Sequence, residues 1–388
     1  MPTQALSVSC LSFDEFRRLE PEWNELVLAS TNPLPFLSHP WIRLWWEHFG
    51  ADQEFTAVIV RRGPLVVAGL PLALRRTRSG LTVGEIVGTG PVATRGMGLA
   101  DKADPPVRED APEAVSPLVV ETLRRLDRAD VIDAKALGEA SPFVGALASA
   151  GPRPASVRRL SRSRSPYLPL PRTWEEYLGS RSGNFRKHLR KYWRRLEERG
   201  KVEVDRLDGA RITAGLAEVF GAEEASWKGE RGTNLFRAPE LRAFFADVIP
   251  EMSARGWIDL SVLRVDGHTA AYELCFDLAG RVFSYNGGFR AEFAELSPGT
   301  ALTAAVLEAA CARGRLEYDM LRGEEPYKMR WATGVRHEVQ VLVPAPRLRA
   351  RAGTFVELYL KAQLKQWPWL EDLADRASGL ASRLRYRS

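Results

Sequence analysis

The chain is poor in cysteine and histidine. Its three cysteines, Cys10, Cys275 and Cys311, lie far apart, and none belongs to a CxxC pair. Five scattered histidines give no zinc spacing. This excludes a disulfide framework and a structural zinc site, and points to a reducing compartment. Long apolar runs are also missing. The longest, residues 65–74, contains Gly69 and Pro71, whereas a bilayer helix needs roughly 20 apolar residues. Residues 1–13 hold no basic residue followed by an apolar run, so no signal peptide is expected and the expected location is the cytoplasm. No Walker loop, GxGxxG fingerprint or nucleophile elbow occurs.

What is present is an ordinary globular composition, 45% hydrophobic and 27% charged over 388 residues, a length that usually holds two domains. The net charge of +6 is clustered in residues 153–164, 181–201 and roughly the last 45 residues. Such clusters favour an anionic partner: a phosphate-rich cofactor, a nucleic acid or an acidic membrane face.

Periodicity predicts helices over 12–29 and 36–49, strands over 55–60, 65–74 and 81–87, a helix over 116–128, a strand over 131–137 and a helix over 142–150. Strand and helix alternate as in a mixed α/β domain. Residues 151–166, rich in Pro, Arg and Ser and without an apolar period, read as a linker between a first unit, 1–150, and a second, 167–345. In the second unit, helices are expected over 173–178, with Thr173 as N-cap and Glu176 at the capping-box position, and over 184–199, 212–228 and 239–255. Strands follow over 258–265, 269–278 and 281–287, the first two joined at Asp266-Gly267. A helix over 300–313 and strands over 316–321 and 335–343 complete the unit. Residues 346–388 read as a basic amphipathic helical tail that docks on the body or lies on an anionic membrane. A faint repeat relates 57–72 to 260–274. Each reads strand, turn, strand with an early Ala (Ala68, Ala271), and the alignment needs one inserted residue.

Three constellations carry chemistry. Leu296-Ser297-Pro298-Gly299-Thr300 opens a helix after a strand. Unpaired N–H groups and the dipole at a helix start favour anions, and Ser297 and Thr300 add hydroxyls; the same residue types also make an ordinary helix start. Residues 318–331 place Asp319, Glu324, Glu325, Tyr327 and Lys328 after a strand end, where open α/β sheets hold ligands. There a tyrosine can serve as general acid and a lysine can stabilise an oxyanion, or the turn is a solvated loop anchored by its aromatics. Residues 184–196 carry an Arg186/Arg190/Arg194 stripe at four-residue spacing, which is either a phosphate- or RNA-binding helix or a solvated basic face. Glu273, within a predicted strand, is a general-base candidate or an outward-facing residue of an alternating pattern. Asn286-Gly287-Gly288 offers an open backbone or a turn.

In order, a basic helix ending Leu196–Gly200, then Trp227-Lys228, Val265–Ala271, Tyr285–Phe289, Leu296–Gly299, Glu308–Gly314 and Asp319–Trp331 resemble the CelD-like branch of the GNAT superfamily, related to the FemABX transferases. The likeness spans about residues 165–334. It implies an α/β fold of tandem GNAT-like domains, each a mixed, mostly antiparallel sheet flanked by helices, with residues 1–150 as a degenerate first copy. It implies N-acyl transfer from acyl-CoA, acetyl-CoA being expected, to an amine of a small molecule or amino sugar, in cell-envelope or exopolysaccharide synthesis. The donor diphosphate is expected beside Ser297, Pro298, Gly299 and Thr300. The resemblance assigns Lys328 to oxyanion stabilisation, Asp319 or Glu273 to taking the amine proton, and Tyr327 to the reaction centre. Trp227, Lys228, Arg186, Tyr285 and Trp331 are substrate-binding candidates, Trp227-Lys228 framing a pocket at a helix end or simply packing in the core, and no metal is expected. The superfamily's Gln/Arg-x-x-Gly-x-Gly/Ala loop is absent. The alternatives are a Fem-like aminoacyl transferase using charged tRNA and a non-catalytic basic binding module.

Overall fold

The computed structural model describes residues 5–77, 79–92, 98–150, 158–209, 211–226 and 234–360. Among these described residues twelve strands form one sheet. They are β1 (Leu6–Leu11), β2 (Gln53–Arg62), β3 (Leu65–Arg76), β4 (Thr82–Ile86), β5 (Val131–Gly138), β6 (Arg158–Pro169), β7 (Val202–Leu207), β8 (Ile258–Val265), β9 (His268–Leu278), β10 (Arg281–Phe289), β11 (Glu317–Asp319) and β12 (Gly334–Pro344). Their spatial order is β1-β2-β3-β4-β5-β12-β6-β11-β10-β9-β8-β7. The order is symmetric about the β12–β6 pair. Each half is a run of five consecutive strands plus one strand taken from the far end of the other. Only β4–β5 and β10–β11 run parallel.

The faint repeat becomes plain in the register. The β2–β3 hairpin slips by one residue between Val60 and Arg61, just past the Val60–Ala68 pair. The β8–β9 hairpin slips between Leu263 and Arg264, just past the Leu263–Ala271 pair. A bulge leaves an extra residue on one strand and raises local twist, so both hairpins bend at the same place.

Residues 158–166 of the expected linker belong to β6, between β12 and β11. Its Arg/Ser-rich sequence shows no apolar alternation, and what makes it a strand is backbone pairing along both edges, to β12 and β11. β1 and β7, the outermost strands, were not apparent from the sequence either. Most of their side chains are exposed, so burial left no period-2 pattern to read. The expected helix over 12–29 is two, Phe13–Arg17 and Glu20–Leu28, the first with a Ser12/Glu15 capping box. Thr173 caps its helix by accepting from the Glu176 N–H at 3.2 Å, while the Glu176 carboxylate takes the Arg172 N–H at 3.1 Å.

One aromatic core joins the halves. Helix His39–Phe49 meets helix Pro239–Ser253, and the Trp41 ring lies 5.1 Å from Phe244 and 5.6 Å from Phe276. Trp23, Phe36 and Phe245 complete this buried mass. A second core lies under helix Pro298–Ala312, with Leu302 and Leu307 against Cys275 and Val282. The start of the tail docks on the body: the Arg347 guanidinium donates to the Ala129 carbonyl at 2.8 Å, and Ala350 is buried. Residues 361–388, with the rest of the expected tail, lie outside the described residues. Among the described residues no helix is long and apolar enough to cross a membrane.

Candidate active site

The site begins where two parallel strands part. β10 and β11 pair only over Arg281–Phe283 and Glu317–Asp319. β10 then continues along β9 with a bulge between Ser284 and Asn286. The chain leaving β11 leans the other way: the Met320 N–H donates to the Pro166 carbonyl at 2.9 Å and the Gly323 N–H to Arg164 at 3.0 Å. Leu321 adopts a left-handed φ of 56°, which costs a non-glycine residue about 1–2 kcal/mol. The Asp319 carboxylate stabilises that turn by accepting the Leu321 N–H at 2.9 Å. Backbone strain of this kind is kept where the surroundings over-determine it.

The parting leaves a gap of about 180 Å³, walled by Ser284, Tyr285, Asn286 and Gly287 on one side and by Leu321, Arg322, Glu325, Tyr327 and Lys328 on the other. Asp101 of the first half closes one end and holds the Arg322 guanidinium at 2.7 Å. The Lys328 Nζ donates to the Arg322 carbonyl at 2.7 Å and lies 3.2 Å from Glu325. An ammonium has three N–H donors, so a third remains for a ligand oxygen. Tyr327 stands at the rim; partial burial and the Glu325 carboxylate raise its phenol above the usual range, so it stays protonated.

Behind Ser284 lies a buried polar cluster. The Glu273 carboxylate accepts from the Ser284 hydroxyl at 2.8 Å, from Thr303 at 2.9 Å and from the Tyr318 hydroxyl. Burial pushes the Glu273 carboxyl up, against the three hydroxyls that favour its charged form. Glu273 does not line the gap; Ser284 stands between.

Asp319 is placed differently from its expected role. It is fully buried, 2.6 Å from the Lys102 ammonium, which also lies 3.1 Å from Glu338. Arg281 and Arg336 flank it and share Glu317. Its carboxylate is thus committed to a buried ion cluster and to the Leu321 turn, and does not line the gap. Arg186 is also committed, donating to the Leu178 carbonyl at 3.0 Å. Trp331 is buried against Tyr177 and Phe185. Arg186 belongs to the first turns of the basic helix Gly183–Arg199 and Trp331 packs on Phe185 of the same helix; neither lines the gap. Trp227 and Lys228 lie outside the described residues. Tyr285, Tyr327 and Lys328 do meet, and Tyr285 anchors itself by donating to the Leu99 carbonyl at 3.0 Å. Sequence reasoning missed Ser284 and Lys102; a lone serine in an apolar strand and a lysine 217 residues from its partner carry no local signal.

Helix Pro298–Ala312 starts just beyond the C-terminal end of β10, the end at which the gap opens. Ser297 caps it in the left-handed conformation, with no side-chain cap bond. Pro298 has no N–H, and those of Thr300 and Ala301 return to the Ser297 carbonyl at 3.1 and 3.3 Å. A phosphate there would meet the Gly299 N–H, the Ser297 and Thr300 hydroxyls and the helix dipole, fewer donors than a glycine-rich loop offers. Among the described residues no cluster of His, Cys, Asp or Glu is arranged to hold a metal ion.

Residues 183–329 match the acetyltransferase (GNAT) domain family. No curated protein sequence matches the chain. Among solved structures the fold is similar to that of FemX, at 12% identity and a TM-score of 0.61, covering 86% of this chain and 96% of that one. It is also similar to the C-terminal domain of a protein described as a putative lysylphosphatidylglycerol synthetase of Agrobacterium fabrum, at 12% identity and a TM-score of 0.54, covering 88% and 97%. The split parallel pair, the ordered motifs and the matched domain agree: residues 183–329 form a GNAT-type acyltransferase domain, within a fold similar to that of FemX.

Proposed function

We propose that the chain transfers a short acyl group, acetyl in the first instance, from an acyl-CoA to the amine of a small molecule or amino sugar in the gap between β10 and β11. The observation that carries this is the meeting, in one gap, of the Lys328 ammonium and the Ser284 hydroxyl backed by buried Glu273. The neutral amine attacks the thioester carbonyl, forming the C–N bond. The oxyanion that develops takes the third Lys328 N–H. The amine proton passes to the Ser284 oxygen as the Ser284 proton moves to Glu273, whose carboxylate burial makes a stronger base than an exposed one. Collapse breaks the C–S bond, and the departing thiolate takes a proton from water. Asp319 acts as a positioning residue through the Leu321 turn. The route needs no enzyme nucleophile. Cys275 is buried with its thiol pushed well up by that burial, and a protonated thiol is a weak nucleophile. Calorimetric titration with acetyl-CoA tests the reading: saturable binding supports it, and no binding by acetyl-, propionyl- or longer acyl-CoAs refutes it.

A second reading is aminoacyl transfer from charged tRNA. It is favoured by the exposed basic face of helix Gly183–Arg199, on which Lys187, Arg190, Lys191 and Arg194 point to solvent. Filter binding of tRNA with a steep fall in affinity as salt rises would support it; equal weakness at low and high salt would end it.

A further inference from the structure

The first half carries its own version of the active-site turn. Asp133, Ala136, Gly138, Glu139, Pro142 and Phe143 repeat Asp319, Leu321, Gly323, Glu324, Pro326 and Tyr327 in the same order, with two one-residue insertions. Asp133 ends the parallel pairing of β5 with β4 as Asp319 ends that of β11 with β10. Ala136 and Leu321 have left-handed φ values of 58° and 56°. In both halves a helix starts at the proline. The reacting groups are gone from the first copy: Phe143 stands for Tyr327, and buried Val144 for Lys328.

A cavity of about 770 Å³ opens on this turn, within the range of small-molecule sites, roughly 300–1,000 Å³. Val107, Val115 and Phe143 give it apolar walls. Asp104 reaches it from the loop before helix Val115–Arg124. One carboxylate oxygen accepts the Gly138 N–H at 2.9 Å and the Asn32 amide at 3.4 Å. The other, Oδ1, is buried without a hydrogen-bond partner, a costly state for a carboxylate. Burial pushes this carboxyl up, against the Ser141 hydroxyl and the Gly138 N–H nearby. The cations on the cavity wall are already engaged: Lys102 by Asp319 and Glu338, Arg281 by Asn32 and Glu317, and Arg336 by Glu317.

We infer that the first half is a binding site, not a spent copy: its cavity takes a small amphipathic molecule that presents an N–H or O–H donor to Asp104 Oδ1 and an apolar body to Phe143, Val107 and Val115. This site is distinct from the acyl-transfer gap: the two share no lining residue.

Hexylamine, hexanol and hexyl methyl ether are the probes, followed by saturation-transfer NMR and titration on the full chain. The amine or the alcohol binds, and the ether, which lacks a donor, binds at least tenfold more weakly. Asp104→Asn, which presents an amide donor where the open acceptor stood, weakens the better probe about tenfold or more. Val115→Trp fills the cavity and abolishes binding, which keeps the test sound should the Asn variant fold poorly. A tighter amine identifies an ammonium-bearing ligand; a tighter alcohol identifies a hydroxyl-bearing one. No binding by any probe, equal binding by the ether, or indifference to both substitutions overturns the inference. Acetyl-CoA binds these variants as it binds the parent; failure of the parent to bind acetyl-CoA counts against the acyl-transfer reading alone, and failure of the parent to bind any probe counts against this inference alone.

Discussion

Glu273→Gln removes the proposed proton acceptor with almost no change of shape. The three hydroxyls of Ser284, Thr303 and Tyr318, which meet the carboxylate in the parent, still find the carbonyl or amide of the glutamine, so the cluster stays filled. General-base catalysis contributes about 10²- to 10⁴-fold, and kcat/KM for the amine falls by that factor, about 2.7–5.4 kcal/mol at 1.36 kcal/mol per decade. Ser284→Ala breaks the same path one step earlier and gives a similar loss. Because both act in one path, the double variant is no slower than the worse single one. Stability moves the other way. Burial raises the Glu273 pKa, so its folded-state value lies above its unfolded value. Its contribution is fully present below the unfolded pKa and lost as pH rises through the folded one. The glutamine side chain is neutral throughout, so the variant melts at or above the parent on the alkaline side, and its melting temperature varies less with pH. The assay is thiol release followed by a colorimetric thiol reagent across pH, with thermal melts in the same buffers. The parent shows an ascending limb governed by a carboxyl above its ordinary range, and the Gln variant lacks it. A Glu273→Gln enzyme within threefold of the parent, or a double variant slower by the product of the two losses, refutes the relay.

Three further outcomes follow from the geometry. Lys328→Met removes one oxyanion donor and lowers kcat about 10²- to 10³-fold, while calorimetry shows the donor's Kd unchanged; a loss confined to Kd would place Lys328 in ground-state binding. Lys102→Met leaves Asp319 and Glu338 buried without their shared cation. Breaking such a pair costs about 3–5 kcal/mol, read as a lower denaturant midpoint, whereas an unchanged midpoint would show that the cluster adds nothing. Trp331→Ala empties a buried site beside Tyr177 and Phe185 and costs about 3–5 kcal/mol; in chemical denaturation the loss appears as instability, and a stable variant that fails only in acceptor KM would restore Trp331 to substrate binding.

The sequence by itself determined the strand–helix alternation, the cap at Thr173, a helix opening within Leu296–Thr300, and the ordered motifs of the second half. Each is local: a cap and a hydrophobic period act within a few residues. The family resemblance also named Tyr285, Tyr327 and Lys328 as site candidates, and the fold brings all three to one gap. The tertiary structure alone decided the rest. β6 and β12 are exchanged between halves by pairing that leaves no periodic trace in the Arg/Ser-rich β6. Asp319 looked like a free carboxylate until the fold set Lys102, 217 residues away, against it. Glu273 read as a base or a bystander, and the fold made it the buried end of a path through Ser284. Whether a charged group is a reactant or a strut depends on which distant partner desolvates and pairs it, and only the folded sheet supplies that partner.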